Sequence, residues 1–307
     1  MSERSDAESV RLTRYAKLSE TPLQSVVASR RLSGGWSSLR QIFGHREMLD
    51  LLIRRDLKAR YKDSSLGFLW SLVRPLTQLL VYYVVLGQFL GAARGIPEFA
   101  IFIFTGLTIY GLLSEIIMGG TASIVGNTGL VKKVYLPREI FPLAAVGSAL
   151  FNFAVQLVIL IAATIVLGAF PWHAGLLYAF PSLALVLVYG TALALILSAA
   201  NVYLRDIQYL VEVLTMLLMW ASPIVYSWTM VRDTFGAGSV ALDVYTNNPV
   251  TLAVLGFQKA FWMAGDASHF PPDLLLRMVV AFLIGLVFLF VGHTVFRRLQ
   301  GDFAQAL

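Results

Sequence analysis

Six apolar stretches, at about 66–90, 99–124, 141–168, 176–200, 207–231 and 274–296, alternate with polar connections along this chain. Each holds 20 residues or more, enough to cross a hydrocarbon layer of ~30 Å at roughly 1.5 Å per residue. Runs such as LVYYVVLGQFLG and LVLVYGTALALILSAA are continuously apolar, whereas barrel strands alternate and are about half as long. Backbone groups in lipid must be satisfied internally, so the runs predict helices. The fold class expected is an all-α integral membrane protein with six transmembrane helices.

Two further segments depart from that rhythm. HREMLDLLIRRDLKARYK, His45 to Lys62, places Leu49, Leu52, Ile53, Leu57 and Tyr61 on one helical face and most of its charges on the other, predicting an N-terminal amphipathic interfacial helix. VTLAVLGFQKAFWMA lies inside the long connection after the fifth stretch. At ~24 Å for Pro249–Ala264 it is too short to span, and Asn248 followed by Pro249 marks a capped helix start. A re-entrant or interfacial element over 240–265 is expected. The resulting organisation is a polar leader over 1–40 expected to be disordered, the interfacial helix over 41–65, the six-span domain over 66–298 and a tail over 299–307. Residues 1–40 lack the apolar core of a cleavable signal.

Charge sets the orientation. Thirteen of the 24 Lys and Arg residues precede Leu66; Lys132, Lys133 and Arg138 follow the second stretch, Arg205 the fourth, and Arg297 and Arg298 the sixth. Every second connection is basic, which predicts both termini in the cytoplasm under the positive-inside rule. The pI of 9.6 is then explained by orientation and attraction to anionic lipid rather than by nucleic-acid binding. With no cysteine, disulfides and thiolate chemistry are excluded. His45, His173, His269 and His293 are scattered without metal-ligand spacing, and no D-x-D pair occurs, so an enzyme is not expected. No metal or cofactor site is expected on this chain.

Ionisable groups inside spans are costly and carry functional or structural hypotheses by default. Arg74 and Glu115 fall at similar depths, ~12–14 Å by helical rise. Two uses stay open: an ion pair with each other, or contact of Arg74 with a phosphate-bearing substrate. Arg205, Asp206 and nearby Glu212 form either a local charge cluster at helix ends or an inner-face substrate reader. Pro223 predicts a kink in the fifth span; Gly119, Gly120 and Gly126 predict close helix packing at the inner end of the second. Phe68 and Trp70 are most simply interfacial aromatics.

Several stretches, in order, carry a resemblance. LLIRRDLKARYKDSSLGFLWSLVRPL, NTGLVKKVYLPREIFPLAAV, NVYLRDI followed by SPIVY, and NNPVT together resemble the permease subunits of polysaccharide and teichoic-acid ABC exporters, the Wzm and TagG type, from about Leu49 to Arg298. The resemblance implies a homodimer in the bacterial plasma (inner) membrane, bound beneath by two copies of a separate ATP-binding subunit, and exporting a lipid-linked glycopolymer such as O-antigen or teichoic acid. ATP and Mg would sit on the partner, in keeping with the absence of a G-x-x-x-x-G-K-[ST] loop. The 124–140 loop would be the coupling element, through Asn127, Gly129, Leu130, Lys132, Lys133 and Tyr135. Asn248, Pro249, Phe257 and Trp262 would form an external gate. Sugar faces pack on aromatic rings, which makes Tyr82, Tyr83, Tyr110, Trp220, Tyr226 and Trp228 conduit candidates beside Arg74 and Glu115. The rival class is an ion-coupled secondary transporter, which usually needs several intramembrane carboxylates.

Overall fold

A computed structural model describes residues 44–61, 70–134 and 136–307. Among them all regular structure is helical. The α-helices of six residues or more are α1 (Arg46–Tyr61), α2 (Trp70–Val81), α3 (Phe99–Gly126), α4 (Thr128–Lys133), α5 (Ile140–Val166), α6 (Ala179–Tyr203), α7 (Ile207–Trp220), α8 (Trp228–Phe235), α9 (Val240–Thr246), α10 (Pro249–Phe261) and α11 (Leu274–Leu299). The expected leader over 1–40 lies outside the described residues.

Among the described residues four helical segments are long and apolar enough to cross a membrane: Phe99–Gly126, Ile140–Val166, Ala174–Tyr203 and Ala267–Asp302. The other two apolar stretches take a different form. α2 runs directly into a π-helix over Tyr82–Phe89. α7 stops at Trp220 after 14 residues, a length of ~21 Å. The expected kink at Pro223 is therefore a full break. Residues 221–227 form turns, and Ser227 caps a new helix by accepting from the Met230 amide.

α3 is the central helix among the described residues of 42–307. It is hydrophobic on all sides and buried along most of its length, as such a helix must be, between α5, α6, α7 and α10. Its seam with α6 is set by small residues. A Cβ added at Gly120 would stand 2.4 Å from the Ala194 Cβ and 2.9 Å from its Cα, so the two backbones are nearly in contact. Asn201 donates to the Thr121 carbonyl across the same seam at 3.1 Å. Gly119 meets Ala145 at ordinary van der Waals range, and nothing lies within 4 Å of a Cβ at Gly126. Close packing is thus a property of Gly120 alone among the three glycines.

α1 lies against α5. Leu52 is buried, and a Cβ at Gly147 would collide with the Ile53 side chain at 2.3 Å. The polar face carries an exposed Asp50–Arg54 pair at 2.8 Å.

α10 is capped as read from the sequence: the Asn248 side chain accepts from the Val250 amide at 2.9 Å, with Pro249 at the first turn. Losing such a cap costs about 1 kcal/mol. Asn248→Ala is accordingly expected to lower the thermal unfolding midpoint of the detergent-solubilised chain by a few degrees, and Asn248→Asp or Asn248→Ser to leave it near the parent value.

Candidate functional site

The helix ends divide the bundle into two poles. α3 is ~42 Å long by helical rise. Its Gly126 end meets α4 and the exposed Lys132 and Lys133, and Tyr203 and Phe303 pack at the same pole. Its Phe99 end meets the last turn of α10, where Trp262 donates to the Pro97 carbonyl at 2.8 Å.

Between the poles a cavity of about 910 Å³ opens among α2, α3, α5 and α7. Its polar wall is built from Gln78 of α2, Tyr110, Ser114 and Glu115 of α3, Asn152 and Gln156 of α5, and Glu212 and Thr215 of α7. Polar groups among apolar helices persist where they are hydrogen-bonded or wet. Here Asn152 donates to the Glu115 carboxylate at 2.8 Å, and the Tyr110 hydroxyl donates to the Thr215 carbonyl. The arrangement offers amides, hydroxyls and two carboxylates to a hydroxyl-rich ligand.

Of the conduit candidates, Glu115 and Tyr110 line this cavity. Tyr82 touches its rim through a 3.9 Å contact of its hydroxyl with the Met219 sulfur. Arg74 lies on α2, but its side chain, and with it the expected pair to Glu115, is outside the described residues. Tyr83 and Trp220 are exposed and do not line the cavity. Tyr226 donates instead to the Trp220 carbonyl at 2.8 Å, and Trp228 is buried against Thr246 at 2.9 Å. Trp70, read as an interfacial residue, belongs to the cavity wall. Gln78, Asn152 and Gln156 were not singled out by the sequence reading. The signal for Asn152 and Gln156 is an amide pair at i, i+4 inside an otherwise apolar run; Gln78 carries no such signal.

At the basic pole α4 stands apart as a short helix. Leu130 and Val131 pack inward with Leu52, Ile140 and Phe303 in a separate apolar cluster. Gly129, Lys132 and Lys133 are exposed, and Tyr135 lies outside the described residues. Asn127 interrupts the chain between α3 and α4. Its side chain donates to the Ser123 carbonyl at 2.7 Å and accepts from Arg55 of α1 at 2.6 Å, so α1, α3 and α4 meet at one amide. Arg205 and Asp206 are exposed in the turn joining α6 to α7. Glu212, close to them in sequence, turns into the cavity wall instead.

The four residues expected at the external gate cluster on α10 and its ends. Asn248 and Pro249 start the helix. Phe257 stacks at a tilt on Phe153 and Phe261 at 5.9 and 4.9 Å, and Trp262 meets Phe102 edge-on at 4.9 Å. The buried Gln258 side chain adds a contact not foreseen, donating to the Pro223 carbonyl at 2.8 Å. It satisfies an oxygen freed by the break after α7. Beyond this helix Asp266 accepts from the Ser268 hydroxyl and from His269, and these bonds hold its carboxyl down to about 2.

The family model of the ABC-2 type transporter matches residues 48–262, more than two thirds of the chain. The O-antigen export system permease protein RfbA of Myxococcus xanthus is 31% identical over 271 residues, covering 88% of this chain and 98% of that protein. An RfbA of the same description from Klebsiella pneumoniae is 27% identical over 262 residues, covering 85% and 95%. The polysialic acid transport protein KpsM of Escherichia coli is similar over a shorter stretch, 27% identical over 82 residues, covering 27% of this chain and 32% of that protein. The resemblance to Wzm-type permeases read from the residues holds, and the chain belongs to the ABC-2 type transporter family.

Proposed function

We propose that this chain is the transmembrane subunit of an ABC exporter that moves a lipid-linked polysaccharide from the cytoplasm to the outer face of the plasma membrane, powered by ATP hydrolysis on a separate subunit. The observation that carries the reading is the polar cavity among α2, α3, α5 and α7. Its amides, hydroxyls and carboxylates suit sugar hydroxyls, and it is set among helices whose outer faces are apolar.

In this reading all six apolar stretches cross the membrane, the fifth by α7 together with the turns that follow it, and both termini are cytoplasmic. α10 forms the re-entrant outer gate. The exposed apolar faces of α2 and α7, with Leu76, Leu80, Leu210, Val213 and Leu217 on the surface, meet a second copy of the chain and close the cavity into a conduit. α4 presents Gly129, Lys132 and Lys133 to the ATP-binding subunit, of which two copies serve the homodimer. Arg55 and Asn127 pass its movement to α1. Arg205 and Asp206 stand at the inner mouth. The names of the similar proteins, O-antigen export and polysialic acid transport, favour a polysaccharide over a teichoic acid.

The test is mass spectrometry of the tagged chain purified in mild detergent from its native host. A stoichiometric partner carrying a Walker loop is expected. Repeated recovery of the chain alone, together with transport that follows a proton or sodium gradient, would replace this reading with a secondary transporter working through Glu115 and Glu212.

A further inference from the structure

At the pole opposite α4 a second cavity, of about 1090 Å³, lies between α8, α9, the last turn of α10 and the start of α11. Three cations line it, Arg232, Lys259 and Arg277, against two carboxylates, Asp243 and Asp273. Two of the cations are already engaged. Arg232 pairs with Asp233 at 2.9 Å. Arg277 donates to Asn247 at 2.8 Å and lies 3.6 Å from Asp243.

Lys259 differs. Its ammonium sits 4.3 Å from the centre of the Tyr178 ring and 5.7 Å from that of Phe270, and among the described residues no carboxylate lies within ion-pair distance of it. The residue is half-buried. Ring faces attract a cation by roughly 0.5–2 kcal/mol, but they leave its charge and its N–H donors unneutralised. An ammonium of this kind, half-buried and with N–H donors open to the cavity, offers a position for an anion. The same two rings border the cavity and offer flat apolar faces on which the C–H edges of a sugar can lie. The volume is at the scale of sites for ligands larger than one sugar ring.

We propose that this cavity is a binding site for a sugar phosphate, with Lys259 holding the phosphate and Tyr178 and Phe270 packing on the sugar. Two sources share that chemistry: a phosphorylated saccharide presented at this face, or the head group of an anionic phospholipid. The first source rests on the export reading above; the site itself does not.

The test uses the full chain in nanodiscs of zwitterionic phosphatidylcholine, and needs neither an ATPase nor transport. Saturation-transfer NMR compares glucose 1-phosphate with glucose. At least tenfold tighter binding of glucose 1-phosphate is expected, with displacement by inorganic phosphate. Lys259→Gln is expected to remove the difference and Lys259→Arg to keep most of it. Repeating the titration in nanodiscs containing phosphatidylglycerol separates the sources. Undiminished glucose 1-phosphate binding assigns the site to a free saccharide phosphate; Lys259-dependent loss of it assigns the site to the lipid head group. Equal binding of the two sugars to the parent chain overturns the proposal without recourse to any variant. So does an undiminished preference in Lys259→Gln.

Discussion

Gly120→Val is expected to abolish accumulation of folded chain in the membrane. The obstacle at this position is main chain, since even a single Cβ would stand 2.9 Å from the Ala194 Cα. A flexible side chain could swing aside, but α6 can yield only by moving as a whole. That movement would also draw Gly190 of α6 off Ile116 and stretch the Asn201 to Thr121 bond. Overpacked sites typically lose about 1–3 kcal/mol, and a backbone obstacle in the central seam places this one at or beyond the upper end. Fluorescence-detected gel filtration of a fusion should show little monodisperse protein for Gly120→Val. Gly119→Ala, whose new methyl would rest 3.5 Å from Ala145, should match the parent. A parent-like yield of Gly120→Val would mean that α3 and α6 separate easily.

Glu115→Ala should reduce export tenfold or more, and removing Arg74 as well should restore part of it. The carboxylate accepts from Asn152 at 2.8 Å, so its loss strands an amide donor inside the bundle at a cost of about 1–3 kcal/mol. The pair with Arg74 that we propose from their similar depths along the sequence implies a second and larger effect, because removing one member of a sequestered ion pair leaves an uncompensated charge. Removing both members takes that penalty away. A double-mutant cycle of Arg74→Ala and Glu115→Ala, read in export rate and in unfolding temperature, should therefore show coupling above about 1 kcal/mol. Strict additivity would exclude the pair and leave Arg74 to contact with substrate.

The long helices were readable from hydropathy because an uninterrupted apolar run in lipid has few alternatives to a helix. The runs 99–124 and 274–296 became Phe99–Gly126 and Leu274–Leu299, within a few residues at each end. The fifth run misled for a related reason. Apolar composition continues through ASPIVY, and hydropathy does not register that the chain turns there. The cue was local: Pro223 lacks a donor, and Ser227 can cap a following helix. Together they predict a stop and restart, whereas Pro223 alone predicts a kink. The cavity was half legible. A search for charges inside spans finds Glu115 but passes over Gln78, Asn152 and Gln156, because a neutral amide is much cheaper to bury than an ion. Only the folded bundle brings amides from α2 and α5 to face Glu115 and Glu212. The aromatic candidates fared unevenly because an aromatic in a span faces lipid, core or cavity according to helix rotation, which composition does not determine. Tyr110 faces the cavity and Trp220 the surface, while Trp228 is buried at the wall of the cavity at the other pole.

The two bonds that fasten α10, from Gln258 to the Pro223 oxygen and from Trp262 to the Pro97 oxygen, both end on main-chain carbonyls. Every amino acid supplies such an acceptor. Sequence drift at 97 or 223 therefore leaves the acceptor in place, provided the local backbone path is kept, while drift at 258 or 262 removes the donor outright. The genetic burden of holding this helix falls on one side of each contact. Homologues can vary the segments that α10 grips without changing the grip itself.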